Sequence, residues 1–114
     1  MKKSLITFLL FSSMSAMSAV GDRVTTQAQL VDELRVQQHE SDAYYYVKPV
    51  GNDWLAKDCP AAQYAYIKES EAGAKMIMSM VISSKIAQKP VKFNGVCGDI
   101  SGNLGYIKIT DIFL

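Results

Sequence analysis

Residues 63–90 read QYAYIKESEAGAKMIMSMVISSKIAQKP and join the clearest strand of the chain to its clearest helix. Over residues 63–68 large aromatic side chains alternate with smaller ones, which is the period-two pattern of a strand. Tyr64 and Tyr66 are therefore expected on one side of this strand, with Ala65 on the other. The pattern then changes to a period of 3.6 residues, which predicts a domain with both strands and a helix.

The predicted helix follows the acidic segment Glu69-Ser70-Glu71. Ser70 is suited to cap the helix, and Glu71 places negative charge where the helix dipole favours it. Pro90 lacks a backbone N–H and ends the helix. The face expected to pack against the strands consists of small and apolar residues at helical spacing: Gly73, Ile77, Met80, Val81 and Ser84.

Residues 24–37 alternate between apolar and polar side chains, with one fault at Val31 and Asp32. The alternation predicts a long, half-buried strand. A short helix is the alternative, with Leu30, Val31 and Leu34 as its apolar stripe.

Three more segments are predicted as strands: residues 43–47, which include three consecutive tyrosines, residues 91–96 and residues 105–114. The order strand, strand, strand, helix, strand, strand matches an OB-fold, a five-stranded Greek-key barrel with a helix between its third and fourth strands. An open α+β sheet with the helix packed on one face is the alternative, because periodicity does not reveal whether a sheet closes.

Residues 1–21 have the layout of a secretory signal peptide. Two lysines precede an apolar run over residues 5–11, and small residues follow it. A membrane anchor is the alternative, but the run is shorter than the roughly 20 residues needed to cross a bilayer. We therefore expect cleavage, before Asp22 or near Ala19, and a secreted or periplasmic protein without stable membrane insertion.

Residues 22–114 are long enough for one small domain and no more. Lys2 and Lys3 leave with the signal peptide, so ten of the twelve basic residues remain against eleven acidic ones, a net charge of −1. Export and a near-neutral charge together argue against nucleic-acid binding.

Cys59 and Cys97 both lie in the predicted mature domain. An even number of cysteines in an exported chain favours a disulfide, and two cysteines allow one pairing within the chain. A catalytic thiol or a metal site is the alternative, but the wide spacing differs from the Cys-x-x-Cys motifs of redox and zinc sites.

Several motifs support a resemblance to known domains: the loop from Trp54 to Cys59, the aromatic strand at residues 64–67, and the segment GVCG at residues 95–98. With the signal peptide, they resemble small secreted bacterial domains that hold one disulfide. The order of elements is also similar to that of the binding subunits of AB5 toxins of the subtilase cytotoxin type. Over about residues 44–114, this resemblance implies an OB-fold, a pentamer and a glycan ligand, but it transfers no sugar-contact residues.

The sequence offers little for catalysis. His39 is the only histidine, and Ser41 and Asp42 lie near it, but a catalytic triad is recognised by spatial geometry. A metal site built from His39, Glu40 and Asp42 would lack any recognised loop spacing. The acids before the helix are better explained by its dipole than as a glycosidase pair. We therefore expect no enzymatic activity, no metal and no cofactor.

Aromatic residues are concentrated in the second and third strands and in the loop between them. Aromatic rings suit sugar rings and peptide anchors, because they bury a large area at low entropic cost. This region is the usual ligand surface of an OB-fold, although packing in the core is the alternative for each tyrosine and for Trp54. The predicted ligand-binding residues are Trp54, Tyr44, Tyr46 and Tyr64.

These observations predict a non-enzymatic binding module whose ligand is a glycan or an envelope or host protein. A structural or inhibitory envelope protein is the alternative, acting by docking on another protein or by forming a homo-oligomer.

Overall fold

The computed structural model describes residues 20–114. Residues 1–19, which carry most of the predicted signal peptide, lie outside this description. The elements in chain order are β1 (Arg23–Thr25), β2 (Val31–His39), β3 (Asp42–Pro49), β4 (Tyr64–Lys68), α1 (Ala74–Ala87), β5 (Lys92–Cys97) and β6 (Tyr106–Phe113).

The six strands form one mixed sheet in the order β1-β5-β6-β4-β3-β2. Neighbouring strands are antiparallel except for β4 and β6, which run parallel. The parallel pair needs a long connection, which α1 and β5 provide. Within residues 20–114 the domain is therefore mainly β, with one helix and a sheet whose edges are β1 and β2.

The predicted first strand, residues 24–37, is divided in two. β1 pairs with β5, whereas β2 pairs with β3. Between them Gln29 makes a single bridge with Val91, and a bulge lies between Val31 and Glu33. The break in the alternation at Val31 and Asp32 thus lies close to the point where the chain stops pairing with β5 and begins to pair with β3. The helical alternative for this region is wrong, because both halves are strands.

The start of α1 differs from the prediction. Gly73 is the N-cap residue, and no side chain caps the helix. The Ser70 hydroxyl instead donates to Asp42 Oδ2 at 2.9 Å, because the turn between β2 and β3 brings that carboxylate within reach. At the other end Gln88 adopts a left-handed conformation, with φ 55°, which ends the helix shortly before Pro90.

The core joins one face of the sheet to one side of α1. The buried helix residues follow i, i+3, i+4 and i+7 spacing: Ala74, Ile77, Met78, Val81 and Ser84. Met78 therefore points inward and Met80 is half-buried, a rotation of the predicted face. The largest fully buried side chains around them include Trp54, Phe93, Ile107 and Val47.

The predicted disulfide between Cys59 and Cys97 is present, with a Cα–Cα distance of 5.7 Å. It links the loop before β4 to the end of β5, and both cysteines are buried. A bond across 38 positions stabilises the fold by about 4 kcal/mol in the chain-entropy treatment. Such a bond fits a protein that folds outside the reducing cytosol. No helix within residues 20–114 is long and apolar enough to cross a membrane.

Candidate functional site

Five of the six tyrosines in the chain lie together on one face of the sheet. We call this the tyrosine face: Tyr44, Tyr46, Tyr64, Tyr66 and Tyr106. Residues adjacent to them in the same strands, Val47, Ala65 and Ile107, belong to the hydrophobic core. Because side chains alternate along a strand, the tyrosines project from the opposite face of the sheet.

The register of the strands explains why the rings meet. Tyr46 lies opposite Tyr66 in the antiparallel pair β3–β4, and Tyr64 lies opposite Tyr106 in the parallel pair β4–β6. The centroids of Tyr64 and Tyr106 are 5.7 Å apart and the rings are stacked. The centroids of Tyr46 and Tyr66 are 6.2 Å apart. Both distances fall within the about 4.5–7 Å typical of interacting aromatic pairs.

Two cations lie over the faces of these rings. Arg35 Cζ is 4.5 Å from the ring centroid of Tyr46 and 5.5 Å from that of Tyr64. Lys68 Nζ is 5.8 Å from the centroid of Tyr44. A cation is attracted to the negative face of an aromatic ring by about 0.5–1 kcal/mol at an exposed site. The tyrosine face therefore combines flat apolar surfaces with charged hydrogen-bond donors.

The tyrosine hydroxyls have different surroundings. Tyr46 donates to Gln37 Oε1 at 3.0 Å, and desolvation by burial, followed by the charge of Tyr106, raises the pKa of Tyr46. Tyr66 is only 2% exposed, and its hydroxyl makes no hydrogen bond within the described part of the chain. Desolvation by burial, followed by the nearby Asp99 carboxylate, raises the pKa of Tyr66 to about 12.

The connection between β5 and β6 borders the tyrosine face. Asp99 Oδ1 accepts hydrogen bonds from the Ser101 N–H at 2.9 Å, the Ser101 hydroxyl at 2.7 Å and the Asn103 N–H at 2.8 Å. Desolvation by burial opposes ionisation of Asp99, but these hydrogen bonds outweigh it and lower its pKa. Asp99 is therefore a fixed negative charge at neutral pH.

A cleft of about 70 Å³ lies between this connection and the rings, lined by Tyr44, Tyr46, Tyr66, Asp99, Ile100 and Tyr106. Small-molecule pockets usually measure about 300–1,000 Å³. The cleft is too small to enclose such a ligand, so a ligand of this site would lie across the surface.

The structure brings together three of the four predicted binding residues. Tyr44 and Tyr46 are stacked with centroids 6.3 Å apart, and Tyr46 and Tyr64 meet edge to face at 6.1 Å. All three are half-exposed. Alternation places Tyr44 and Tyr46 on one side of β3, and the pairing of β3 with β4 brings Tyr64 to the same face.

Trp54, the fourth predicted residue, is 0% exposed, so the expectation that it lies on the surface is wrong. Its indole N–H donates to the Val47 carbonyl at 3.1 Å. Its ring meets Phe93 edge to face, with centroids 5.0 Å apart. A tryptophan can be buried in this way when its N–H finds a partner. Trp54 is a core residue and does not belong to the candidate site.

The sequence interpretation did not assign Tyr66, Tyr106 and Arg35 to the site. Tyr66 could have been included, because it shares the period-two pattern of Tyr64. Tyr106 joins the cluster through the parallel β4–β6 pairing, which no local pattern reveals. Arg35 joins it because β2 places Arg35 directly opposite Tyr46.

The residues weighed for catalysis have structural partners. The His39 ring packs edge-on against the tyrosine face, 6.3 Å from the nearest ring centroid. Glu71 forms an ion pair with Lys108 at 3.4 Å, and Glu69 accepts a hydrogen bond from the Tyr45 hydroxyl at 3.0 Å. In residues 20–114 no group of three or more His, Cys, Asp or Glu side chains is arranged to hold a metal ion.

No protein-family description, curated protein or solved structure matches this chain.

Proposed function

We propose that this chain is a non-enzymatic binding module, secreted or periplasmic, whose tyrosine face binds a glycan or a protein. One observation carries the proposal: five tyrosine rings contact one another on the sheet face opposite the core. Core packing does not require aromatic residues there, since the solvated face of an antiparallel sheet is ordinarily polar. A half-exposed aromatic cluster of this kind is typical of an interaction surface.

The chemistry of the surface fits a ligand that lies flat. The apolar face of a sugar ring could stack on Tyr44 or Tyr64, while its hydroxyl groups donate to Asp99 or accept from Arg35. A protein ligand would use the same groups, because tyrosine and arginine are enriched at the energetic centres of protein interfaces. No cofactor, metal or nucleic acid enters this proposal.

We also propose an OB-like architecture for the domain. Its support is the strand pairing: an antiparallel run β2–β3–β4, a parallel pair β4–β6, and a helix between β4 and β5. In addition, the chain that leads into β2 pairs with β5 through β1 and bridges Val91 through Gln29. In OB-folds the second and third strands form the ligand surface. Counted from β2, these are β3 and β4, which carry four of the five tyrosines.

A glycan array tests the proposal with the oxidised protein and two variants, Tyr44→Ala and Tyr64→Ala. We expect each variant to weaken glycan binding by about tenfold or more, because each removes a stacking surface. Phe113→Ala is the matched control: Phe113 is an exposed aromatic residue (43%) with Lys92 Nζ 5.4 Å from its ring, and it lies outside the tyrosine face.

If no glycan binds, the same variants should be compared in a pull-down from envelope extract. A protein that both tyrosine variants lose and Phe113→Ala retains would identify a protein ligand. Equal retention by all variants in both experiments would contradict a binding role for the tyrosine face.

A further inference from the structure

We propose that the cleft between the tyrosine face and the β5–β6 connection binds the ammonium group of a lysine side chain from a protein partner. The cleft is part of the tyrosine face, so this proposal rests on the binding role proposed for that face and names the chemistry of its ligand. Its support is a buried hydroxyl without a partner, a carboxylate oxygen without a partner, and a lining that is mostly aromatic.

The buried hydroxyl belongs to Tyr66. This side chain lines the cleft, is 2% exposed and makes no hydrogen bond within residues 20–114. Buried polar groups in folded proteins are nearly always paired, and an unpaired one calls for a water, an ion or a ligand. The Tyr66 hydroxyl is therefore available to bond with a ligand atom in the cleft.

The carboxylate oxygen is Oδ2 of Asp99. The hydrogen bonds from Ser101 and Asn103 all go to Oδ1, so Oδ2 accepts none within the described part of the chain. Desolvation by burial raises the pKa of Asp99, but those hydrogen bonds outweigh it, so the group is ionised at neutral pH. Oδ2 is thus a charged acceptor that a ligand can use.

The charges around the cleft favour a cation. None of the six residues that line it is positively charged, and Asp99 is negative. Desolvation by burial, followed by Asp99 and more weakly by Glu71, raises the pKa of Tyr66, so these two carboxylates make the field at its hydroxyl negative. A group that donates hydrogen bonds and carries positive charge fits this environment better than a neutral hydroxyl does.

Aromatic rings form most of the lining. Four of the lining residues are tyrosines, namely Tyr44, Tyr46, Tyr66 and Tyr106. A cation within about 6 Å of a ring centroid is attracted to the face of the ring. Arg35 and Lys68 already lie over rings of the tyrosine face in this way, but neither lines the cleft. Within residues 20–114 no cation lies over Tyr66 or Tyr106.

The size of the cleft favours lysine over an amino sugar. Its volume is about 70 Å³, whereas one water molecule takes about 30 Å³ in the liquid, so the cleft has room for about two water-sized groups. An amino sugar carries its nitrogen directly on a sugar ring, and an arginine ends in a larger planar group. A lysine nitrogen stands at the end of a flexible alkyl stem, which can lie along apolar surface. Ile100, 78% exposed beside the cleft, provides that surface.

An NMR titration of the oxidised, isotope-labelled protein with n-butylammonium chloride tests the cleft, because this probe reproduces the end of a lysine side chain. We expect saturable shifts in the amide signals of Asp99 and Ile100, with a dissociation constant in the millimolar range. 1-Butanol is the matched neutral probe and should bind at least about tenfold more weakly, because it lacks the charge. Equal binding of the two probes, or no saturable shift with n-butylammonium, would overturn the proposal.

Asp99→Asn tests the carboxylate. An asparagine oxygen can still accept from Ser101 and Asn103, so the connection should keep its shape, but n-butylammonium binding should weaken by about tenfold or more. Asp111→Asn is the matched control, because Asp111 is exposed, accepts a hydrogen bond from Thr110 and does not line the cleft. This control should bind like the wild type. Unchanged binding in Asp99→Asn would overturn the proposal.

Two further variants test the buried hydroxyl. Tyr66→Phe removes an acceptor for the ammonium group and should weaken n-butylammonium binding by about threefold or more. Tyr46→Phe removes a hydroxyl that already donates to Gln37 and should change binding by less than about twofold. Equal effects of the two variants would contradict the pairing of the ammonium group with Tyr66.

Peptide and sugar probes identify the source of the ammonium group. The capped tripeptide Gly-Lys-Gly should shift the same amide signals, and the same peptide acetylated on its lysine should not. Shifts from glucosamine without shifts from the lysine peptide would overturn the choice of a protein partner. A glycan or protein that Tyr44→Ala and Tyr64→Ala lose but Asp99→Asn retains would overturn the lysine site and leave the binding role of the tyrosine face intact.

Discussion

The two faces of this sheet both carry large side chains, yet they are stabilised in different ways. On the core face, aliphatic residues such as Val47 and Ile107 are fully buried beside Phe93 and Trp54. On the tyrosine face, rings contact one another while most of them remain half-exposed, and Arg35 lies over two of them. Side-chain size alone therefore does not decide which residues of this sheet are buried. The indole N–H of Trp54 is buried with a partner, most of the tyrosines keep a polar edge in solvent, and Tyr66 is buried although its hydroxyl makes no hydrogen bond within residues 20–114.

The largest effect should come from the core face. Trp54→Ala removes a fully buried indole and its hydrogen bond to Val47, so we expect a loss of about 3–5 kcal/mol in the free energy of unfolding. Urea denaturation of the oxidised protein measures it. Tyr64→Ala, on the other face, should cost only about 1 kcal/mol. Equal losses in the free energy of unfolding from Trp54→Ala and Tyr64→Ala would show that the two faces contribute equally to stability.

The second-largest effect should be a loss of stability at alkaline pH that arises from the tyrosine face alone. The pKa of Tyr66 is raised to about 12 in the folded protein from an ordinary value of 10.0. The folded state therefore holds this proton while the unfolded chain releases it. The stabilisation is complete below pH 10 and is lost as the pH rises towards about 12, by at most about 1.4 kcal/mol per pH unit.

Urea midpoints at pH 9 and pH 11 would measure this loss, and Tyr66→Phe should reduce the difference between them. A difference of the same size in Tyr66→Phe would contradict the assignment to Tyr66. It would then point to the other tyrosines with a raised pKa, Tyr45 and Tyr46.

Two smaller changes compare the hydroxyl groups of Tyr66 and Tyr46 within the tyrosine face. Tyr66→Phe deletes a buried hydroxyl without a hydrogen bond in residues 20–114, so stability at pH 7 should rise or stay constant, by up to about 1 kcal/mol. Tyr46→Phe deletes the donor to Gln37 and should lower stability by about 0.5 kcal/mol. Thermal unfolding at pH 7 gives the sign of each change. A loss of stability in Tyr66→Phe together with a gain in Tyr46→Phe would contradict these assignments, because the hydrogen-bonded hydroxyl would then be that of Tyr66.

The smallest effect concerns the cation over the rings. Arg35→Ala should lower the free energy of unfolding by about 0.5–1 kcal/mol, and Arg35→Leu, which keeps an apolar stem, should recover only the part due to packing. A double-mutant cycle with Tyr46→Leu isolates the contribution of the ring. A coupling energy of zero would show that Arg35 and Tyr46 make no stabilising cation–π interaction.

Much of the tyrosine face could be predicted from the sequence, because period-two alternation acts over a few residues. The pattern places Tyr44 with Tyr46, and Tyr64 with Tyr66, on one side of each strand, but it leaves open which side is the core. The disulfide was also predictable, since two cysteines in a chain that begins with a predicted signal peptide allow one pairing. The presence of α1 and its end before Pro90 followed from the sequence, whereas its start did not, because Gly73 and not Ser70 is the N-cap residue.

The remaining features depend on contacts between distant residues. Trp54 lies in a loop, where no periodicity indicates which way a side chain turns. Tyr106 reaches the cluster through the parallel pairing of β4 and β6. Ser70 is a good cap by type, but the Asp42 carboxylate, 28 positions away, binds its hydroxyl instead. Local propensity was overridden in each case by a partner that only the folded chain supplies.

The pairing of β1 with β5 has a consequence for the order in which the molecule assembles. Thr25 donates from its hydroxyl to Asn94 Oδ1 at 2.7 Å across 69 positions of the chain, so the first strand has no partner until the last third of the polypeptide is available. Closing so long a loop is entropically slow, whereas the hairpin of β2 and β3 needs only its neighbours. We therefore expect the hairpin of β2 and β3 to form early in folding and β1 to pair with β5 late.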